Sequence, residues 1–275
     1  MLNKDIKYKN GTLYTMKIII SDKKKKDIFV SLFQVLKNCS SIINIKLETE
    51  LLHIQGMDKS HICLFDAKIN ANWFNSYEVI TNIAISFDSN VFYSIISTKS
   101  ESQDLIIKME DDNDDIVHIH FIPQEKECKK GDFKKFFKMP LTEYEYQEMA
   151  IPLVEYDAEF SLSSKQISDM FTQLNNFGND IIIQCSEEDI CLTTNGVTGE
   201  MRVDLPIDDL TCYSIIEGEK ITLTYSLSYI NKMCITNKLS NDVDFSLSNN
   251  CPMKISYDLG ENSLLQFYIA PKMND

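Results

Sequence analysis

The sequence lacks the features that would place it in a membrane or a secretory pathway. No window approaches the roughly 18 uninterrupted apolar residues of a membrane span. The first residues, MLNKDIKYKNGTLYTMK, have no apolar core of a secretory signal, so we interpret them as an extension before the first strand. With 44% hydrophobic and 25% charged residues in 275 positions, the composition predicts one large or two medium globular domains.

The sequence also lacks paired cysteine motifs. None of its eight cysteines forms a C-x-x-C pair, and most lie in apolar runs, where a free thiol behaves as a small buried hydrophobe. Scattered thiols of this kind are typical of a reducing compartment. We therefore predict neither a disulfide framework nor a structural zinc site.

Catalytic signatures are missing as well: there is no G-x-G-x-x-G, P-loop lysine, H-E-x-x-H or G-x-S-x-G motif. His118 and His120 form an H-x-H that could bind a metal, although two histidines on a sheet face or interface are the commoner case. The acidic run Glu110–Ile116 lacks the glycine and final glutamate of an EF-hand loop, and we interpret it as a solvated hairpin turn. No enzyme activity, metal or cofactor is predicted.

Basic residues are outnumbered, 27 against 41 acidic residues, which gives a formal net charge of −14. Such a balance disfavours a uniformly basic surface for nucleic acid. A net charge is only a sum, however, and an acidic exterior can coexist with a lysine-bearing lining.

Strand signals dominate what the sequence does contain. Many short segments alternate apolar with polar residues between Asp, Asn, Gly or Ser, which predicts antiparallel sheets with one covered face. Only four segments have helical periodicity. They cover about Asp27–Cys39, about Ser89–Ser97, a stretch from a Ser163 or Ser164 cap to Gly178, and about Leu227–Ile235.

The order of these elements repeats along the chain. IKLETELLHIQGM (Ile45–Met57) and IQCSEEDICLTTN (Ile183–Asn195) each read as a strand, an acidic turn and an apolar strand. The repeat predicts two copies of one α+β unit. The predicted organisation is an N-terminal extension at 1–15, a first domain at 16–125, a connector at 126–156 and a second domain at 157–275.

Three separated segments carry a family resemblance. They are LLHIQGMDKSHICLF (Leu51–Phe65), QEMAIPLVEY (Gln147–Tyr156) and FYIAPKMND (Phe267–Asp275), supported by LTYSLSYIN (Leu223–Asn231) and CPMKISY (Cys251–Tyr257). In this order and spacing, the chain from about Met16 to Asp275 resembles the eukaryotic and archaeal DNA sliding clamps of the proliferating cell nuclear antigen family. The first fifteen residues and the Lys126–Met139 region have no evident counterpart.

The resemblance implies an α+β, two-domain DNA-clamp fold, in which each domain has two antiparallel sheets and two helices lining the interior of a ring. Subunits of that family close head to tail, usually as trimers, which pairs sheet edges that would otherwise be exposed. By resemblance the edge strands are Asp115–Ile122 and Asp189–Asn195. The subunit interface would then include Ile116, His118, His120, Ile190 and Leu192.

A hydrophobic groove for partner peptides is also implied. Its residues by resemblance are Met57, His61, Leu64, Ile151, Pro152, Pro252, Tyr268, Ala270 and Pro271. DNA polymerase, clamp loader, flap nuclease and ligase are the expected partners, each inserting a short helical turn with aromatic anchors.

A clamp that slides requires loose phosphate attraction without base recognition. The lysines predicted to face DNA are Lys23, Lys24, Lys25, Lys26, Lys37, Lys99, Lys165, Lys232 and Lys238. At several helix positions where the family tends to place Lys or Arg, this chain has Tyr93, Ser97, Asp169, Thr172 and Ser228. The resemblance therefore implies a lining that is less positive than is typical of the family.

The implied function is that of a non-enzymatic processivity factor, a homotrimeric ring around duplex DNA in replication and repair. Four alternatives stay open: a subunit of a heteromeric or checkpoint-type clamp, a clamp-fold protein that no longer encircles DNA, a clamp-fold transcription factor, and an enzyme with an unrecognised site. Abundant Asn, Ile and Lys indicate an AT-rich genome, such as that of a virus or protist. The expected location is the nucleus or, for a viral chain, the site of viral DNA replication, including the cytoplasm.

Overall fold

A computed structural model describes residues 14–110, 113–124, 132–144 and 147–272. Most of the predicted N-terminal extension therefore lies outside the described residues. The helices are α1 (Lys23–Cys39), α2 (Ser89–Ile96), α3 (Ser164–Leu174) and α4 (Leu227–Met233).

Eighteen strands are seen in the same ranges. The first nine are β1 (Tyr14–Ile20), β2 (Ile42–Leu47), β3 (Leu51–Met57), β4 (Cys63–Asn70), β5 (Ser76–Val79), β6 (Ile83–Asp88), β7 (Gln103–Glu110), β8 (Asn113–Pro123) and β9 (Lys135–Pro140). The second nine are β10 (Ala158–Ser163), β11 (Asp180–Cys185), β12 (Asp189–Gly196), β13 (Gly199–Pro206), β14 (Cys212–Ile215), β15 (Ile221–Ser226), β16 (Asp242–Ser248), β17 (Cys251–Gly260) and β18 (Ser263–Ile269).

The two halves have the same element order, so the predicted α+β duplication is confirmed. Each half runs β, α, three strands, a one-turn 3-10 helix, two strands, α and three strands. Three antiparallel sheets result, with strand orders β5-β1-β7-β8-β9, β13-β12-β11-β15 and β14-β10-β16-β17-β18-β4-β3-β2-β6. The nine-stranded sheet contains one five-stranded unit from the second half and one four-stranded unit from the first.

The junction within the nine-stranded sheet is the antiparallel pairing of β18 with β4. Phe267 lies opposite Phe65, and both side chains are buried. Gly56 on β3 leaves room for the ring of Phe65, because a Cβ at Gly56 would lie 2.4 Å from the ring atom Cζ. Burial of two aromatic side chains at this seam strongly stabilises the contact between the two halves.

The helices pack in a row in the order α2, α1, α4, α3. Asp22 caps α1 by accepting a hydrogen bond from Lys25 N at 2.8 Å, and Asp88 caps α2 in the same way through Asn90 N and Val91 N. Both caps satisfy amides that have no partner within the helix. In the part of the chain that the structure describes, no helix has the length and apolarity needed to span a membrane.

The predicted edge strands are wrong. β9 pairs along β8, with Ile116 opposite Pro140 and Phe121 opposite Lys135, and β13 pairs along the whole of β12. Two of the predicted interface residues, Ile190 and Leu192, are therefore fully buried core residues. The remaining three, Ile116, His118 and His120, lie on an interior strand of their sheet. The sequence pattern does not predict β9, because its sequence, KFFKMP, continues a lysine-rich segment with the composition of a connector.

Candidate functional site

An apolar groove of about 240 Å³ lies at the seam between the two halves. Its lining includes eight of the nine residues predicted for a partner groove: Met57, His61, Leu64, Ile151, Pro152, Pro252, Tyr268 and Ala270. Pro271 is not among the lining residues. The structure thus brings together side chains from β3, β4, the connector, β17 and β18.

Five further lining residues were not singled out from the sequence: Ile62, Ala150, Val154, Tyr156 and Cys251. All five lie inside the quoted segments MDKSHICLF, QEMAIPLVEY and CPMKISY. The sequence segments are therefore sufficient to predict where the groove lies, but only the folded chain shows which of their side chains line it.

Asp58 shapes the loop that carries Met57 and His61. Its Oδ1 accepts hydrogen bonds from Ile62 N at 2.8 Å and Cys63 N at 2.7 Å, and its Oδ2 accepts one from Ser60 N at 2.9 Å. Three backbone amides are thereby satisfied by one buried carboxylate. The loop's shape consequently depends on Asp58 being ionised.

The surroundings of Asp58 act on its pKa in opposite directions. Burial raises the pKa, but hydrogen bonds from the backbone of Cys63, Ser60 and Ile62 and from the Tyr229 side chain lower it below its usual value. The same loop places His61 at φ 56°, a left-handed conformation that is uncommon outside glycine. His61 Nδ1 lies 3.0 Å from Met57 Sδ, so both side chains form one wall of the groove.

The connector is attached to β3 by the side chain of Gln55. Its Oε1 accepts from Met149 N at 2.8 Å, and its Nε2 donates to Met149 O at 3.0 Å. Nε2 also donates to Asp66 Oδ1 at 3.2 Å, which fixes the orientation of the amide. Because Met149 lies two residues before Ile151, this attachment positions the connector wall of the groove.

Charged side chains reinforce that attachment. His53 is buried, with Nε2 2.7 Å from Asp66 Oδ1 and Nδ1 3.7 Å from Glu148 Oε1. Burial raises the pKa of Asp66, but the hydrogen bonds from His53 and Gln55 and the positive charges nearby together lower it below its usual value. Lys46 pairs with Glu148, and this contact lowers the pKa of Glu148.

The segment after β18 forms the remaining wall. Ala270 N donates to Ile62 O at 3.0 Å, and Lys272 N donates to Thr224 O at 2.8 Å. These two hydrogen bonds, one to each half of the chain, hold this segment across the seam. Tyr268 lies opposite Leu64 because β18 pairs with β4.

The lysines predicted to face DNA do not form one uniform set. The prediction for Lys26 is wrong: its side chain is fully buried, and its Nζ donates to Glu101 O at 2.7 Å and to Gln103 O. Lys26 lies one and two turns before Phe29 and Phe33, which are also buried, so it borders the buried face of α1 and does not face a DNA channel. Lys99 is also unsuited to phosphate contact, because its side chain is 12% exposed and pairs with Asp27.

Several of the other lysines have acidic or aromatic neighbours. Lys23 pairs with Glu101 at 2.6 Å, and Lys37 lies over the ring of Tyr93. Lys24, Lys25 and Lys238 line a cleft of about 780 Å³. Its acidic lining residues are Asp22, Asp27, Asp242, Asp244, Asp258 and Glu261.

Four of the nine lysines are exposed and form no ion pair within the described part of the chain: Lys24, Lys165, Lys232 and Lys238. The helix row thus has fewer available positive charges than the sequence predicts. Across the described residues, no group of three or more His, Cys, Asp or Glu side chains is arranged to hold a metal ion.

Comparison with known proteins agrees with this architecture. Residues 21–144 match the family model "Proliferating cell nuclear antigen, N-terminal domain", and residues 150–272 match "Proliferating cell nuclear antigen, C-terminal domain". The chain belongs to the proliferating cell nuclear antigen family. The boundary between the two matches falls inside the predicted connector.

Individual relatives are distant but cover nearly the whole chain. "Proliferating cell nuclear antigen 2" of Plasmodium falciparum (isolate 3D7) is 26% identical over 259 residues, which are 90% of this chain and 96% of that protein. The proliferating cell nuclear antigen of Chaetomium thermophilum is 25% identical over 256 residues, 90% of this chain and 95% of its own length.

A solved structure shows the same fold. The crystal structure of the proliferating cellular nuclear antigen from Entamoeba histolytica superimposes with a TM-score of 0.83 at 22% identity, covering 95% of this chain and 100% of that one. The protein therefore has the two-domain sliding-clamp fold of the proliferating cell nuclear antigen family, whose members are non-enzymatic scaffolds.

Replacing Asp58 by Asn should destabilise the protein near neutral pH, because the neutral amide has one acceptor oxygen for three amides. An unsatisfied buried group costs about 1–3 kcal/mol. Since the folded pKa is lowered, the stabilisation by ionised Asp58 is complete above the unfolded pKa of about 4 and is lost as the pH falls through the folded value. Urea unfolding at neutral and at acidic pH measures both effects.

The matched control is Asp208→Asn, which removes an exposed carboxylate outside this loop. The control should leave the free energy of unfolding nearly unchanged. If Asp58→Asn is no more destabilising than Asp208→Asn at neutral pH, the role assigned to the Asp58 carboxylate is wrong.

Proposed function

We propose that this protein is a DNA polymerase processivity factor, a ring of identical subunits that encircles duplex DNA and recruits other proteins through the groove. The supporting observation is the pattern of paired and unpaired strand edges. The nine-stranded sheet joins β18 of the second half to β4 of the first. Their equivalents in the other halves are β9 and β13, and these end the remaining two sheets.

Head-to-tail pairing of β9 with β13 of another copy builds a second nine-stranded sheet with the same strand order. The five-stranded unit β5-β1-β7-β8-β9 corresponds strand by strand to β14-β10-β16-β17-β18, and β13-β12-β11-β15 corresponds to β4-β3-β2-β6. Repetition of one junction around a closed ring also covers edges that would otherwise promote aggregation. The helix row α2-α1-α4-α3 then continues from subunit to subunit on the inner side.

The groove suits a short helical segment with apolar anchors. Its walls are mostly apolar, and hydrogen bonds that Asp58 and Gln55 accept from backbone amides fix the loop and the connector before any peptide arrives. A preformed site loses less conformational entropy on binding. Met57 adds adaptability, because its thioether can pack against anchors of different shape.

Contact with DNA is weak and sequence-independent in this proposal. The exposed lysines Lys24, Lys165, Lys232 and Lys238 supply the attraction to phosphate, without Lys26 or Lys99. Few contacts are compatible with sliding, because each neutralised phosphate adds to the affinity and to its salt dependence.

Light scattering of the purified chain and association with linear duplex DNA test the proposal together. We expect a mass near three times 31.7 kDa. A ring should thread onto a duplex with free ends and fail to associate when streptavidin blocks both ends beforehand. A monomer at every concentration, or equal association with blocked and free DNA, would contradict the proposal.

Ile151→Asp should weaken binding of a synthetic peptide whose helical turn carries aromatic side chains, because it places a carboxylate in an apolar wall. We expect the Kd to rise by about tenfold or more, equivalent to about 1.4 kcal/mol. Leu153→Asp is the matched control, since Leu153 is fully exposed and is not among the groove-lining residues. Fluorescence anisotropy measures both, and equal losses would argue against the groove.

Charge reversal at Lys165 and Lys232 should lower the affinity for duplex DNA and reduce the slope of log affinity against log salt by about 0.9 for each affected lysine that neutralises a phosphate. Both lysines lie on helices and are exposed. The control variant, Lys59→Glu with Lys220→Glu, changes the net charge equally at exposed positions on loops, outside the four helices. Identical salt slopes for the two variants would exclude the helix row as the DNA-facing surface.

A further inference from the structure

The unpaired edge strands β9 and β13 carry side chains of opposite charge. These side chains lie opposite each other when β9 and β13 of two copies are aligned in the same register as β18 and β4. Resting on the ring proposed above, we infer one specific register for the antiparallel pairing of β9 with β13 of a second copy of this chain. We call this β9–β13 interface the joint. The cross-joint pairs are Lys138 with Glu200, Lys134 with Asp204, and Phe136 with Arg202.

A turn shared by both halves relates β13 to β4. Glu48 N donates to Leu51 O at 2.8 Å in the first half, and Ser186 N donates to Asp189 O at 3.0 Å in the second. Both turns lead directly into the next strand, β3 or β12. Leu51 and Asp189 therefore occupy equivalent positions.

The cross-strand pairs then show which residues of β4 and β13 occupy equivalent positions. Four residues after Leu51, Gln55 lies opposite Asp66, and four residues after Asp189, Thr193 lies opposite Arg202. Neither ladder has a register shift. Arg202 on β13 is consequently the equivalent of Asp66 on β4.

A second shared contact relates β9 to β18. Asn75 N donates to Ile19 O at 3.0 Å, and Thr211 N donates to Ser161 O at 2.8 Å. The antiparallel pairs can be followed from these two acceptors to the edges. The path in the first half is Ile19, Ile106, His120, Phe136, and the path in the second half is Ser161, Asp244, Ser256, Gln266.

The junction inside the chain then sets the register of the joint. Gln266 lies opposite Asp66. Their equivalents, Phe136 and Arg202, must lie opposite each other if the joint copies the junction. Two residues to either side, antiparallel pairing brings Lys138 to Glu200 and Lys134 to Asp204.

These pairs are favourable on the outer face of the sheet. Within the described residues, Lys134, Lys138 and Glu200 form no ion pair, and each is exposed. Arg202 and Asp204 contact each other at 2.7 Å and remain more than half exposed. The exposed ring of Phe136 can take the guanidinium of Arg202 over its face.

The opposite face of the joint is apolar in the same register. Phe137 falls opposite Met201, and both are partly buried at the margin of their own cores. Met201, Val203 and Leu205 line a depression of about 360 Å³ beside β13. Alternation along the strands thus gives charge matching on one face and apolar packing on the other.

Charge reversal of single residues tests the inference. Lys138→Glu and Glu200→Lys should each place like charges across every joint, because all subunits are identical. We expect each to raise the concentration at which the ring half dissociates by about tenfold or more. The double variant, Lys138→Glu with Glu200→Lys, should return this concentration to within about threefold of the unmodified chain.

Sedimentation velocity over a protein dilution series gives these concentrations, and circular dichroism confirms that each variant folds. Lys220→Glu and Glu219→Lys are the matched controls, since both alter exposed residues away from β9 and β13. An unmodified chain that stays monomeric overturns the ring and the joint together. A ring that assembles but responds equally to edge and control variants, or that the double variant fails to restore, overturns only the proposed register.

Discussion

Antiparallel pairing of β18 with β4 is the constraint on which the rest of the structure depends. It fuses a five-stranded unit of one half with a four-stranded unit of the other, and it buries Phe267 against the strand that carries Phe65. The groove exists only because this seam exists, since Tyr268 and Leu64 are neighbours across it. Loss of the seam would separate the two halves and remove the groove walls at once.

The repeat uses this junction in two chemically different ways. Within the chain, Tyr268 beside Leu64 contributes apolar surface to the groove. In the inferred joint between subunits, the equivalent positions hold Lys138 and Glu200. The same backbone geometry can therefore support a peptide groove at the β18–β4 junction and an ion pair at the β9–β13 joint, because only the outward-facing side chains differ. The connector covers the first seam alone, through Gln55 and its contacts to Met149.

Local patterns were sufficient for the helices and for most of the groove. Periodicity placed α2 and α4 to within about two residues, since an amphipathic helix records its buried face every 3.6 residues. The resemblance of short segments identified Met57, Ile151 and Tyr268 as groove residues, although they lie far apart in the chain. β9 was missed because a short, lysine-rich edge strand has the composition of a linker.

The sequence by itself determined the duplicated α+β unit, the strand-rich composition and the apolar character of the groove segments, because each depends on residues close together in the chain. Only the tertiary structure decided which strands end the sheets and which lysines reach solvent. Lys26 illustrates the reason: its helical position is local information, but its burial comes from the carbonyls of Glu101 and Gln103, about 75 residues away in sequence. Contacts between distant segments set exposure and edge pairing, and no local pattern encodes them.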